Sequence, residues 1–189
     1  MKKRLHNVNR GIVLLGILII AVAIYLVIYS SNQNKKKAAL RALASDYITR
    51  SSSLFVFPKP DDFTSIMNGK SDEIIDVLYE SASPVFPYIA DNEAIRKELV
   101  AKNFNFFGKA LDDEHCPITC TRTVEEIQIE ECYMDTAIVR VYSVTTFEFR
   151  GKDNNVSAAD YTTQDIIQFL YIDGTWKIVN VNSSLNEYI

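Results

Sequence analysis

Histidine, glycine and cysteine are scarce in this 189-residue chain, and each scarcity removes a class of chemistry. It has two histidines, and only His115 lies beyond the N-terminal tail. Its six glycines form no phosphate-cradling loop, and neither G-x-S-x-G nor H-E-x-x-H occurs. Loop-bound nucleotide phosphates, nucleophile-elbow hydrolysis and zincin chemistry are therefore poor readings. Three cysteines, Cys116, Cys120 and Cys132, are an odd number, so no complete disulfide framework is available. Cys116 and Cys120 bracket CPITC, read as a short loop that can close in an oxidising compartment. A pair involving Cys132, or three free thiols, are the alternatives. Acidic residues are absent from the first 34 positions.

The N-terminal region has instead one long apolar run, GIVLLGILIIAVAIYLVIY, residues 11–29, with no charge, proline or amide. At roughly 1.5 Å per residue such a helix matches a hydrocarbon core of about 30 Å. It lacks the polar stripe that a buried core helix would show, and it is longer than the apolar part of a cleaved signal. The expectation is an uncleaved single-pass anchor in contact with membrane lipid. Lys2, Lys3, Arg4 and Arg10 flank it on one side, and Lys35, Lys36, Lys37 and Arg41 on the other. Counting positive charges therefore leaves orientation open. The short basic tail and the neutral spacer from Ser30 to Asn34 favour an inside N-terminus and an extracytoplasmic domain.

These features set the domain boundaries: 1–34 for the tail, span and spacer, and 35–189 for one soluble domain, long enough to bury a core. Beyond residue 34 lie 16 basic and 24 acidic residues, a net charge of −8. Without Lys35, Lys36, Lys37 and Arg41 the balance is 12 against 24, or −12. A body this acidic repels polyphosphate, so no nucleic-acid partner is expected.

Along the domain, Leu40, Leu43, Tyr47 and Ile48 repeat at helical spacing, and the serine run 51–53 ends that helix. LFVFPKPDDF, with Pro58 and Pro60, reads as an extended connector. A helix is expected from Ser71, capped by that serine with Asp72 and Glu73 in its first turn, and stopped by Pro84 and Pro87. Another is expected over 92–110, ended or weakened by Gly108. From about Thr123 the pattern becomes β-branched, aromatic and period-two. Val139, Val141, Phe147 and Phe149 share one face; Arg140, Tyr142 and Glu148 share the other. GKDNN and Asp173-Gly174 mark hairpins. Helices followed by about four long antiparallel strands make an α+β domain.

The order of elements, with Phe169-Leu170-Tyr171, Asp173-Gly174 and Trp176-Lys177-Ile178 in the last hairpin, resembles the NTF2-like (cystatin-like cone) superfamily. The resemblance covers about residues 36–189 and implies helices packed on a curved antiparallel sheet. The cone interior would then be an active site, a ligand pocket or a packed core. The anchor placed before such a domain resembles the layout of VirB8- and TcpC-type conjugation components. That likeness implies an envelope assembly of the secretion or conjugation type.

Enzymes of the superfamily use an Asp, His or Tyr inside the cone, and the sequence offers no clear set. His115 sits in a polar stretch before the sheet and is expected at the surface. Asp112, Asp113, Glu114, His115, Cys116 and Cys120 mix hard and soft ligands and select no single metal. Tyr142, Asp165 and Trp176 are the candidate pocket-lining residues, with Asp165 the best placed carboxylate. Phe104, Phe106 and Phe107 are read as core rather than a docking patch. No catalytic residue, cofactor or metal is assigned. The expectation is a non-catalytic interaction module, a homo-oligomer or bound to an envelope protein. A tethered small-molecule-binding or isomerase-like enzyme is the alternative.

Overall fold

A computed structural model describes residues 10–69 and 71–187 of the chain. The basic tail 1–9 lies outside the described residues, as does the side-chain cap expected of Ser71, Asp72 and Glu73. The chain divides into two compact units, Met1–Ala39 and Leu40–Ile189. One helix, α1 (Arg10–Arg50), contributes to both.

In the first unit α1 is long and apolar enough to cross a membrane, and none of its apolar stretch is buried within the chain. From Val13 to Tyr29 the large apolar side chains stand exposed all round the helix. A helix without a polar stripe has no preferred side to bury in a soluble core, but every side suits lipid.

The second unit begins where Leu40, Ala44, Tyr47 and Ile48 bring one face of α1 into the core. The serine run converts the helix end into a 3-10 turn, Ser51–Phe55, in which Ser51, Ser52 and Ser53 each donate a hydroxyl back to a carbonyl three residues earlier. The chain then departs from the extended connector expected of its two prolines. A second 3-10 turn, Pro60–Asp62, leads into a short helix α2 (Phe63–Met67). Pro60 opens its turn, where its missing N–H costs nothing. Helix α3 (Ser71–Ala82) ends ahead of Pro84 in a 3-10 turn, Ser83–Tyr88. Helix α4 (Glu93–Asp112) starts at Asn92, whose side chain accepts from the Ala94 N–H at 2.9 Å. It runs through Gly108 rather than ending there.

Four strands come next in a simple meander of order β1-β2-β3-β4: β1 (His115–Cys132), β2 (Thr136–Gly151), β3 (Val156–Ile172) and β4 (Thr175–Ser183), all antiparallel. The architecture is α+β, helices on a four-stranded antiparallel sheet. The expected Asp173-Gly174 hairpin is present, with φ of 48° and 82° at the two turn residues. Positive φ at both positions is the type I′ geometry that matches strand twist. Irregularities at Pro117/Thr119, Val124/Glu126 and Ile129/Glu131 interrupt the β1–β2 register, and bulges of this kind increase local twist and bend a sheet.

Strand β2 separates the two faces residue by residue. Ala137, Val139, Val141, Ser143, Thr145 and Phe147 are buried, while Ile138, Arg140, Tyr142, Val144 and Thr146 remain partly open. The buried face joins Thr163, Asp165, Ile167 and Phe169 of β3 and Ile178 of β4. The helices close over it with an aromatic cluster. Phe107, fully buried, meets Phe57 at 5.3 Å and Phe106 at 5.1 Å between ring centroids, while Phe55 meets Phe106 at 5.1 Å and Phe147 at 6.1 Å. Edge-to-face pairs at these separations add to the stabilisation from burial. Phe104 departs from its core reading: it is 44% exposed on the outer side of α4.

Phe107→Ala empties the centre of this cluster and is expected to destabilise the domain by about 3–5 kcal/mol. Phe107→Leu, which keeps most of the volume, should cost clearly less. Urea unfolding followed by Trp176 emission measures both; equal losses would place Phe107 outside the packed core.

Candidate functional site

The interior of the sheet is where the resemblance would put a substrate, and the structure puts a charge pair there. Arg122 of β1 lies opposite Thr145 of β2, and Asp165 of β3 lies opposite Val141. Both side chains face the helices. The guanidinium reaches across β2 so that Arg122 Nη2 donates to Asp165 Oδ2 at 2.5 Å, with the two side chains 2% and 1% exposed. Small hydroxylated residues make room for the crossing. Arg122 Nε donates to Thr145 Oγ1 at 3.3 Å, and Nη2 lies 3.4 Å from Ser143 Oγ and from Thr163 Oγ1. Nη1 donates to Ser51 Oγ at 2.7 Å, and Ser51 itself donates to the Ile48 carbonyl at 2.7 Å. The Phe55 ring stacks 5.8 Å from the guanidinium carbon.

Tyr47 completes the roof, 2% exposed, and its phenol is pushed well above the ordinary value, first by burial and then by the negative charge of Asp165. Asp165 Oδ1 receives no hydrogen bond from the described residues. A carboxylate neutralised by a guanidinium and sealed from water is poorly suited to take a proton from a substrate, because no substrate atom can come within hydrogen-bonding distance. The arrangement joins three strands and the end of α1.

The three residues expected to line one pocket lie apart. Asp165 is inside the sheet; Tyr142 is on its opposite face, beside a shallow outer hollow of about 440 Å³ with Gln164, Ile166 and Asn182. Trp176 is the second residue of β4, half-buried against the core, with its ring 5.2 Å from that of Tyr171. The space beside Tyr47, among Ile89, Leu99 and Ile178, amounts to about 30 Å³, room for a single water. Sequence reasoning misses Arg122. A signal for it exists, since Cys120, Arg122 and Val124 alternate in step with the inward residues Phe147, Thr145 and Ser143.

CPITC is not a loop but the start of β1, which corrects the expected setting of its cysteines. Cys116 and Cys120 are both free thiols. Four strand positions separate Cys116 from Cys120 by roughly 13 Å, about twice the Cα separation a disulfide spans. Burial pushes the Cys116 thiol up to about 11 and the Cys120 thiol up to about 12. His115, first residue of the strand, is exposed and lies 6.1 Å from the Phe149 ring. Glu114 pairs with Lys152. No three metal-ligating side chains come together among the described residues.

The sequence matches no protein-family model and no curated protein. Solved structures of similar fold include an IcmL-like type IV secretion system protein from Legionella pneumophila: 7% identity, 77% of this chain against 90% of that one, TM-score 0.48. Another is a putative aromatic ring hydroxylase from Novosphingobium aromaticivorans: 14% identity, 79% against 87%, TM-score 0.46. A third is CagV, a VirB8 homolog of the type IV secretion system of Helicobacter pylori: 10% identity, 77% against 96%, TM-score 0.43. At these identities the likeness is one of fold.

Removing one ion separates a structural role from a chemical one. Arg122→Met should destabilise by about 3–5 kcal/mol by leaving a buried carboxylate unpaired, whereas Arg122→Met combined with Asp165→Leu should recover most of that loss. Chemical unfolding of the two variants decides this; equal losses would mean that the pair itself is not the issue. The thiols give a second test. With folded values of about 11 and 12 against an ordinary 9.0, the unfolded state ionises first. Their contribution to stability is flat below pH 9 and falls as pH rises towards 12. At pH 8 maleimide should label Cys116 and Cys120 far more slowly in the folded protein than in urea, and equal rates would show the burial to be wrong.

Proposed function

We propose that this chain is a single-pass membrane-anchored protein whose NTF2-like domain is a non-catalytic protein-interaction module of the cell envelope. The domain stands on the extracytoplasmic side and works as a homo-oligomer or in a larger assembly of secretion or conjugation type. The observation that carries this reading is the filled interior. The position a substrate would take is occupied by Arg122 and Asp165 with their hydroxyl partners, and by the Phe55, Phe106, Phe107 and Phe147 rings. The domain therefore offers its outside to other molecules: the open sheet face around Ile138, Tyr142 and Ile166, and the outer side of α4 around Phe104.

The uncharged run 11–29 supports the anchor, and the basic flanks with a short tail support the orientation. The acidic balance of the domain argues against nucleic acid and in favour of a protein neighbour.

Extraction of the full chain from its native membrane in mild detergent is expected to give a species heavier than one chain and its micelle, by light scattering, with a stoichiometric protein neighbour or a second copy. A strictly monomeric, partner-free species at every detergent concentration would overturn the assembly reading. Extraction by carbonate alone would overturn the anchor.

A further inference from the structure

Ile75, Phe104 and Val156 are exposed singly, but four other exposed apolar side chains of the domain lie together at one end of the sheet. The β1–β2 turn carries Tyr133, 61% exposed, and Met134, 83% exposed. The β3–β4 turn carries Tyr171, 48% exposed, and Ile172, 36% exposed, with Trp176 behind them. The two tips are tied side by side by the Tyr171 N–H, which donates to the Asp135 carbonyl at 2.8 Å, while the Tyr133 N–H closes the β1–β2 turn on the Thr136 carbonyl at 2.8 Å. The result is one apolar, tyrosine-rich ledge.

The domain's own first residues lie towards this same end. Backwards from residue 57, the contacts step along the sheet. Phe57 N–H donates to the Pro117 carbonyl, opposite Phe149; Phe55 packs on Phe147; Ser51 meets Arg122, opposite Thr145. Tyr47 then borders Ile178, opposite Phe169. Asp46 accepts from the Tyr88 hydroxyl, beside Pro87, whose carbonyl accepts from Lys177, opposite Leu170. Continuing in this direction, about 9 Å along the helix before Asp46, Leu40 is the first residue of the unit. The ten residues 30–39 between the apolar run and the domain reach at most roughly 35 Å.

We propose that the hairpin-tip ledge, Tyr133, Met134, Tyr171 and Ile172, is a membrane-interface contact that seats in the headgroup region of the bilayer holding the anchor. The proposal rests on the reading of residues 11–29 as that anchor. Tyrosine and tryptophan rings, apolar in body and polar at one point, suit the water–hydrocarbon boundary. A tether this short keeps the ledge at an effective concentration of the order of millimolar near the surface, so a contact too weak to bind a free domain is populated. The four residues of the ledge carry no charge, and Asp135 and Asp173 flank it in the two turns. That selects a zwitterionic surface over an anionic one.

Trp176 is the only tryptophan and sits directly behind the ledge, so it reports the contact without labelling. The full chain is reconstituted at one copy per nanodisc in phosphatidylcholine with bromine on the upper acyl carbons. Trp176 emission is expected to fall by about half against unbrominated lipid, and aqueous iodide should quench it little. The pair Tyr133→Ser with Met134→Ser should restore emission and admit iodide, while Met134→Leu should behave as the parent chain. Flotation with liposomes separates the two readings: a chain that does not float refutes the anchor, and one that floats without bromine quenching refutes the ledge contact. Shielding from iodide that needs several copies per disc, without bromine quenching, would assign the ledge to a second copy and overturn the lipid contact. If the serine pair does not fold, judged by loss of cooperative unfolding, bromine quenching of the parent chain alone decides.

Discussion

A guanidinium and a carboxylate are held against each other inside this domain, almost without water, and the rest of the structure is arranged around that fact. The ideal desolvation cost of two such ions is large, and it is offset only by close pairing and by further hydrogen bonds to the leftover donors. Each neighbour of Arg122 answers one of those needs. Ser143, Thr145 and Thr163 place hydroxyls along its path, and the row is tied together, with Ser143 and Thr163 oxygens 2.9 Å apart and Thr145 and Thr163 oxygens 3.1 Å apart. Larger apolar residues there would block the crossing from β1 to β3. Ser51 meets the far nitrogen from the helix side, so the point at which α1 ends is fixed by the same ion.

This pair also decides what kind of interior the sheet has. A cone with an empty mouth needs small or polar residues lining solvent. Here polar residues are present but turned on one another, and aromatic rings fill the remainder. The ion pair serves as packing material with directional demands. A one-residue slip of β3 against β2 would turn Asp165 to the outer face and leave Arg122 buried and alone. Register is thus enforced more strongly than by apolar side chains, which tolerate exchange of one for another.

Much of this architecture is legible in the chain, and the failures have specific causes. The alternation Val139, Val141, Phe147 and the Asp-Gly turn announce β2 and the last hairpin because burial on one face and a positive φ leave few residue choices. The site is harder. Asp165 is visible as a lone carboxylate, but its partner lies in the polar run Cys120 to Thr123, where threonines conceal which face is inward. Pro117 makes CPITC resemble a loop, although an edge strand tolerates proline, and its carbonyl accepts from Phe57 at 3.1 Å. Pro58 and Pro60 suggest extension where the chain takes tight 3-10 turns that tuck Phe55, Phe57 and Phe63 into the core. Proline reports a restricted φ and a missing donor; burial of three phenyl rings chose among the conformations that remained.

Guarded edges narrow how the domain can meet a neighbour. A sheet of this kind has two, and each carries an obstacle to strand addition. Along β4, Ile89 forms a parallel bridge with Ile178, and the Ala90 N–H donates to the Ile178 carbonyl at 2.9 Å. Along β1, Glu125, Glu126, Glu130 and Glu131 stand exposed, and Phe57 engages the edge at Pro117. Two copies meeting edge to edge would bring these carboxylates together, a repulsion that discourages pairing. With the interior filled and both edges obstructed, the surfaces that remain include the outer side of α4 around Phe104, the open sheet face, where Ile138, Val144 and Ile166 are interleaved with polar residues, and the apolar hairpin tips; the last two contrast most. They differ in chemistry. The sheet face combines side chains that a folded protein can complement, including the Arg140–Glu130 pair at 2.5 Å. The tips offer adaptable thioether, phenol and aliphatic groups with little to specify a partner, which suits a lipid boundary better than a shaped protein surface.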